Sequence, residues 1–398
     1  MSKRIKDIIS LIKLFVAYVC SLFLINLRKK EIWLIMEKPI EARDNGYHLF
    51  KYLRTEHPEI NAYFVISKNS VDLHKVEKYD NIIYHNSFKH FLYYTSALIN
   101  IGSQPYGASP KRSIFLHKFS CFRRKDQKTI FIQHGIIINE LPHSLDYDKT
   151  HFNLITATAK REYDFVKRIH GYPDDNIKLL GLCRFDNLYN KENDIKKQIL
   201  IMPTFRSWLV AKDRTNYATE AELEKFKESD YYKAYYNVLS DKKFIDILEK
   251  YGYKVVFYPH YSAQSYIKSF KELENENIII ADRKEYDVQQ LLIESSILVT
   301  DFSSIFFDFA YMGKPEIFYQ FDEEKYRQSH YKKGYFDYKD DGFGPVVYSG
   351  NDVIFEIEKI LKNDVKISDF YMDRINNFFD LRDDKNCERT YRAIMNLK

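Results

Sequence analysis

The chain has 398 residues, 45% of them hydrophobic, which is enough for two globular domains because one core rarely grows past roughly 250 to 300 residues; a lone small binding module is excluded. Its 61 Lys and Arg against 56 Asp and Glu leave a formal charge of +5, too mild for a nucleic-acid protein but suited to small anions or an anionic membrane face. Cys20, Cys121, Cys183 and Cys387 lie far apart, and the histidines follow no H-x-x-x-H or H-E-x-x-H spacing. Free thiols in a reducing compartment are the simplest account of the cysteines, and the spacing disfavours a dedicated transition-metal site.

The first predicted element is IISLIKLFVAYVCSLFLINL from Ile8, about the length of a membrane-spanning helix. Lys13 interrupts it, and Lys3, Arg4 and Lys6 before it and Arg28, Lys29 and Lys30 after it form basic flanks, with no small-residue cleavage site following. This pattern predicts a membrane-associated helix over 1–30, lying in the interface or inserted, with its flanks on anionic lipid. A helix buried inside the first domain is the alternative.

From Glu31, short apolar runs alternate with helix-length segments: EIWLIME, a helix near GYHLFKYLRTEH, NAYFVIS, NIIYH, a helix near SFKHFLYYTSA, ALINIGS, KTIFIQH, NLITAT and NIKLLG. That is the βαβ rhythm of a parallel sheet covered on both faces, and it predicts a first domain over 31–188. The polar stretch YNKENDIKK predicts a linker over 189–197. A second series, QILIMP, KVVFYPH, NIIIAD, ILVTD and EIFYQF, predicts a second domain over 198–367, and the charged segment 368–398 predicts helices packing across both domains. The fold class is therefore α/β: two Rossmann-like, doubly wound parallel-sheet domains facing a cleft, where ligands bind outside the carboxyl ends of the strands.

Polar residues gather after those strand ends. KTIFIQHG delivers Gln133, His134 and Gly135, and histidine is the side chain best suited to general-base work near neutral pH; a core histidine is the alternative. GLCRFDNL delivers Arg184 and Asp186, either a phosphate grip or an ion pair with each other. In the second series IMPTFRSW delivers Thr204 and Arg206, VVFYPHY delivers His260, and ILVTDFSS delivers Asp301, Ser303 and Ser304. Arg206 could be a surface cation, and His260 a capping or core histidine. Ser303 and Ser304 stand where a strand turns into the helical run SIFFDFAYM, so they either cap that helix or help bind a phosphate at its start. No G-x-G-x-x-G and no G-x-x-x-x-G-K-[ST] is present, which disfavours dinucleotide oxidoreductases and P-loop kinases. Converging basic and hydroxyl groups on two such domains suit a nucleotide diphosphate.

The run TDFSSIFFDFAYMGKPEIFYQFDEEKYRQSHYKKGYFDYKDDGFGPVVY from Thr300 resembles the signature region of the CDP-glycerol glycerophosphotransferases, which build teichoic acids and related capsule polymers. FIQHG, GLCRFDNL, MPTFR and YPH follow in that family's order, and the similarity reaches back to RDNGYHLFKYLR and NSFKHFLYY, covering the chain from about Glu31 to Tyr348. The resemblance implies a GT-B architecture, a place on the cytoplasmic face of the bacterial cell membrane, and transfer of a polyol phosphate from a CDP-activated donor to a lipid-linked or polymeric glycan acceptor. It implies His134 as general base, His260 on the donor diphosphate, and Arg184, Asp186, Thr204, Arg206, Asp301, Ser303 and Ser304 as donor- and phosphate-binding residues, with Cys183 standing where the family has proline. No protein-held metal is expected, although a divalent cation such as Mg2+ is compatible, and no nucleic-acid partner is expected. CDP-ribitol as donor, a nucleotide sugar as donor, and an inactive polymer-binding protein are the competing readings.

Overall fold

In the computed structural model, residues 3–24, 29–111, 121–140, 142–190, 194–209, 217–329 and 334–397 are described. Arg28 of the expected basic flank and 191–193 of the expected linker lie outside them. The chain divides into two compact units, one of Met1–Ile137, Leu141–Asn187 and Asp383–Lys398, the other of Ile138–Glu140 and Leu188–Arg382.

The first unit holds a seven-stranded, wholly parallel sheet in the order β3-β2-β1-β4-β5-β6-β7. Its strands are β1 (Trp33–Met36), β2 (Ala62–Ile66), β3 (Ile82–Tyr84), β4 (Ile99–Gly102), β5 (Lys128–Phe131), β6 (Leu154–Ala157) and β7 (Ile177–Leu179). The central strands β1, β4 and β6 are buried along their whole length, as expected where helices cover both faces of a parallel sheet. Trp33, Phe50, Phe64, Ile101 and Ile130 form one apolar layer with Cys387 and Ile394 of the C-terminal helix Asn386–Met395. Strand order reverses between β1 and β4, so the crevice that such sheets use for ligands opens beyond the ends of these two strands.

The second unit holds a six-stranded parallel sheet, β10-β9-β8-β11-β12-β13, from β8 (Gln198–Ile201), β9 (Lys254–Phe257), β10 (Ile278–Ile280), β11 (Ile297–Thr300), β12 (Glu316–Tyr319) and β13 (Val346–Val347). Here the reversal falls between β8 and β11. The helix Val288–Glu294 is closed by Lys314, whose buried Nζ donates to the carbonyls of Leu292 (3.1 Å), Ile293 (2.6 Å) and Ser295 (2.9 Å). Those carbonyls would otherwise lack partners at a buried helix end, which explains the lysine in Gly313-Lys314-Pro315; burial lowers its pKa to about 8. The segment from Ser368, expected to pack across both domains, is shared out: Asp369–Phe378 belongs to the second unit and Asn386–Met395 to the first.

The N-terminal helix, Lys3–Phe23, is neither inserted-length apolar nor buried throughout. Among the described residues no helix is long and apolar enough to cross a membrane; Ile25, Asn26 and Leu27 of the expected run lie outside them. Leu14 and Ala17 are fully buried against Phe91 and Tyr94 of the helix Phe88–Ser96, whereas Ile8, Ile12, Phe15, Val16 and Phe23 are exposed.

Candidate functional site

In the first unit the reversal crevice is filled from below by the chain's own acceptors. Glu37, directly after β1, is buried; its Oε1 accepts from the amides of Asp44 (2.9 Å) and Tyr47 (2.6 Å), and its Oε2 from that of Arg43 (3.0 Å). Burial and the nearby Asp44 charge push its pKa well above the usual carboxylate range. Ser103, directly after β4, accepts from the amide of Gly46 (2.9 Å). The start of the helix Asn45–Glu56 is thus satisfied internally, and Gly46 is required there because a Cβ would meet Glu37 Cγ at 2.9 Å. Arg43 is held by Asp72 through two bonds of 2.7 Å.

His134 stands beyond the end of β5, next to this crevice, and its residue is exposed. Protein crowds the ring on its inner side, and that desolvation, with the positive charges of Arg184 and Lys38, pulls its pKa from the ordinary histidine value down to about 4. A bond involving the Ser103 backbone and the charge of Glu41 act the other way but do not win. At neutral pH the ring is therefore uncharged and able to accept a proton.

Arg184 reaches the same place. Its Nη1 donates to the carbonyl of His134 (3.1 Å) and to Asp44 Oδ1 (3.0 Å), and its amide donates to Asn45 Oδ1 (3.0 Å). Arg184 and His134 are thus brought together, and the arginine's carboxylate partner is Asp44. Asp186 is not part of the group. Its Oδ1 accepts from the amide and side-chain nitrogen of Asn386 (2.7 Å each) and its Oδ2 from the amide of Cys387 (2.8 Å). It caps the C-terminal helix because the short helical turn Cys183–Asn187 points its side chain inward. The expected phosphate contact of Asp186 is replaced by this cap.

In the second unit, β8 and β11 deliver their residues side by side. Asp301 is fully buried and accepts from the amides of Thr204 (2.8 Å) and Phe302 (2.6 Å). Arg206 lies beneath the surface with a side-chain exposure of 0%. Its Nη1 meets Asp301 Oδ2 at 2.9 Å and the carbonyl of Thr204 at 2.8 Å, while Nε and Nη2 clasp Asp322 at 2.7 and 2.8 Å. Tyr231, Phe302, Phe321 and Tyr326 surround the guanidinium with ring centroids 5.2 to 5.4 Å away. Burial opposes its charge, but Asp301 and Asp322 outweigh that and hold its pKa above the ordinary arginine value. Arg206 and Asp301 therefore tie the two strand-end loops to each other and present no charge at the surface. Thr204 Oγ1, also buried, has no hydrogen-bond partner among the described residues.

Ser303 and Ser304 precede the helix by more than expected. The helix runs Phe306–Tyr311 and its N-cap position is Ile305, with no side-chain cap. Ser303 Oγ accepts weakly from the amide of Ile305 (3.4 Å), and Ser304 is exposed in the turn. The aromatic side chains Phe306 and Phe307 are fully buried, and their packing sets where the helix begins. His260 caps the helical segment Tyr261–Leu273: Nδ1 accepts from the amide of Ser262 at 3.2 Å, so the neutral ring carries its proton on Nε2. Gln264 fixes this loop from behind, donating to the carbonyls of Pro259 (3.0 Å) and Ala281 (3.2 Å).

Sequence reasoning missed Asn45, Glu162, Gln264 and Asp322. Asp322 could have been found, since it follows β12 as the other site residues follow their strands. Asn45 announces itself only as a polar residue at a helix start.

The profile of the family described as CDP-Glycerol:Poly(glycerophosphate) glycerophosphotransferase matches residues 16–396. The chain is 33% identical over 372 residues to "Minor teichoic acid biosynthesis protein GgaB" of Bacillus subtilis (strain 168), covering 93% of this chain and 40% of that protein. It is 22% identical over 371 residues to "Teichoic acid poly(glycerol phosphate) polymerase" of Staphylococcus epidermidis, covering 85% and 46%. The chain thus spans less than half the length of these curated relatives. Among solved structures, the wall teichoic acid polymerase TagF superposes with a TM-score of 0.66 at 14% identity, covering 98% of this chain and 99% of that one, a likeness of fold. The Neisseria meningitidis UDP-GlcNAc 2-epimerase shares the fold at a TM-score of 0.55 and 9% identity, covering 92% and 99%. With the family profile running through nearly the whole sequence, from the N-terminal helix to the C-terminal one, the chain belongs to the CDP-glycerol:poly(glycerophosphate) glycerophosphotransferase family.

Proposed function

We propose that the protein transfers glycerol phosphate from CDP-glycerol to a hydroxyl of a polymeric or lipid-linked glycan acceptor, releasing CMP, in teichoic acid or capsule polymer synthesis. The observation that carries this reading is His134: an exposed, neutral histidine at a strand end beside the reversal crevice, in a chain of this family. Its imidazole takes the proton of the acceptor hydroxyl as that oxygen attacks the phosphorus bearing glycerol. The bond from this phosphorus to the bridging oxygen breaks, and its electron pair leaves with CMP.

Donor recognition falls to the second unit. The Nε2–H of His260, the exposed hydroxyl of Ser304 and Ser303 beside it supply donors for phosphate oxygens, and Arg206 with Asp301 keeps their loops in register. In the first unit Arg184 positions His134 through the carbonyl and adds positive charge beside it. A divalent cation such as Mg2+ is compatible with this reading, carried in on the donor diphosphate.

The exposed Ile8, Ile12, Phe15 and Val16 on a helix anchored through Leu14 and Ala17 support attachment in the plane of the cytoplasmic membrane face. CDP-ribitol is the second reading for the donor, because relatives include "Teichoic acid poly(ribitol-phosphate) polymerase", 31% identical over 109 residues. Mass spectrometry of a defined glycerophosphate-primed acceptor, after incubation with either donor, tests both. Growth by glycerol phosphate units supports the proposal; growth by ribitol phosphate units transfers it to the other donor, and transfer of a sugar refutes it.

A further inference from the structure

The residue before His134 is in an unusual conformation. Gln133 has φ of +57°, a left-handed backbone that a non-glycine residue holds only when its surroundings over-determine it. Those surroundings are specific. Gln133 Nε2 donates to the carbonyl of Thr156 and lies 3.4 Å from Glu162 Oε1. Glu162 is fully buried; its Oε1 accepts from the amide of Ile137 (2.7 Å) and its Oε2 from the amide of Thr158 (2.6 Å). On the other side, Asn45 Nδ2 donates to the carbonyls of Ile132 (3.2 Å) and Gln133 (2.9 Å). The loop that carries His134 is therefore gripped before the histidine, at it through Arg184, and three residues after it.

A helix cap alone does not account for Glu162. Residue 162 lies in the first turn of the helix Lys160–His170, and reaching back to the amide of Thr158 uses one oxygen. The second oxygen is turned to a different loop, the one after β5. Burial pushes the carboxyl up to about 7, a cost that an apolar side chain at this position would avoid.

We propose that Glu162, acting with Gln133, is a positioning residue for His134: it holds the left-handed turn after β5 so that the imidazole meets the acceptor hydroxyl in a reactive geometry. The assignment rests on the proposed reaction for its functional meaning, while the positional claim stands on the loop itself. Misplacing a reacting group by about an ångström costs roughly 100-fold in rate.

The test compares wild type with Glu162→Gln, Gln133→Gly and His134→Asn in the full chain, reading kcat and donor KM for CMP release, thermal unfolding, and the ε1 signals of 13C-labelled histidine. Glu162→Gln keeps the size of the side chain but leaves one acceptor oxygen for two amides. The expected result is a kcat lower by roughly 10- to 100-fold, a donor KM within about twofold, a melting temperature lowered by a few degrees because one buried amide loses its acceptor, and a displaced His134 signal identified by its loss in His134→Asn. Gln133→Gly, which relieves the backbone but removes the anchor, should show the same pattern. An unmoved His134 signal and wild-type kcat in a folded Glu162→Gln protein overturn the proposal. Retained activity in His134→Asn would instead refute the reaction assigned to the histidine, and the signal in Glu162→Gln would still decide whether this carboxylate places the ring.

Discussion

At the scale of single residues, the structure separates exposed side chains at the strand ends from buried ones that hold their loops. His134 belongs to the first kind, and its depressed pKa has a signed consequence. A ring whose pKa lies near 4 stays neutral as pH falls through the ordinary histidine range, so kcat/KM should hold steady from pH 7 down to about 5 and decline only below that. Removing the charge of Lys38, as in Lys38→Gln, should raise the pKa and move this acid limb upward; a pH–rate profile of the two proteins checks it. Arg206 belongs to the second kind. Arg206→Met leaves Asp301 and Asp322 without their buried cation, so it should cost about 3–5 kcal/mol of stability in a denaturant melt. A selective rise in donor KM with unchanged stability would contradict the geometry of its two ion pairs. These two residues also mark the limit of what the sequence discloses. That Arg206 and Asp186 follow strands was legible from apolar runs and turn residues. Whether each side chain turns up to a ligand or down into the unit depends on Asp322 and on Asn386, which lie 116 and 200 positions away.

At the scale of elements, most strands were readable because they are short apolar runs, as in Trp33–Met36 and Ile297–Thr300, although Ile82–Tyr84 and Ile177–Leu179 each bury only part of their length. The exception is Val346–Val347 at a sheet edge, two residues long and without a period of its own. The helix after Asp301 was read as starting at the serines, whereas the core contacts of Phe306 and Phe307 place its start later. The helix Phe88–Ser96 carries a prediction of its own. His90 is fully buried; Nε2 donates to the carbonyl of Ala108 (2.9 Å) and Nδ1 accepts from the amide of Asn86 (3.2 Å). Burial lowers its pKa to about 3. The unfolded chain takes up a proton at the ordinary histidine value while the folded one does not, so stability is fully present above that value and is lost as pH falls from it toward 3. At ~1.4 kcal/mol per pH unit this amounts to on the order of 5 kcal/mol. Urea melts between pH 7 and 4 should show that slope, and His90→Leu should flatten it while lowering stability at pH 7.

At the scale of the whole molecule, a family profile that spans residues 16–396 joins two parallel-sheet units into one functional class. Neither sheet alone discloses that class, because the same architecture serves the epimerase as well. The N-terminal helix shows how composition can mislead on this scale. Its length pointed to a possible span, but Leu14 and Ala17 pack it onto the first unit and leave its other apolar face outward. Replacing Ile8, Ile12 and Phe15 together by Ser should lower partition onto anionic vesicles by at least about tenfold, since burying each large apolar side chain is worth roughly 1.5–3 kcal/mol. Melting temperature should change little, because all three are exposed.

The most direct test of the whole account is acceptor-dependent CMP release from CDP-glycerol by the purified protein and its His134→Ala variant. The account predicts release that requires the acceptor and falls by roughly 100-fold or more in the variant at saturating donor. Release that continues at the wild-type rate without His134 would contradict it.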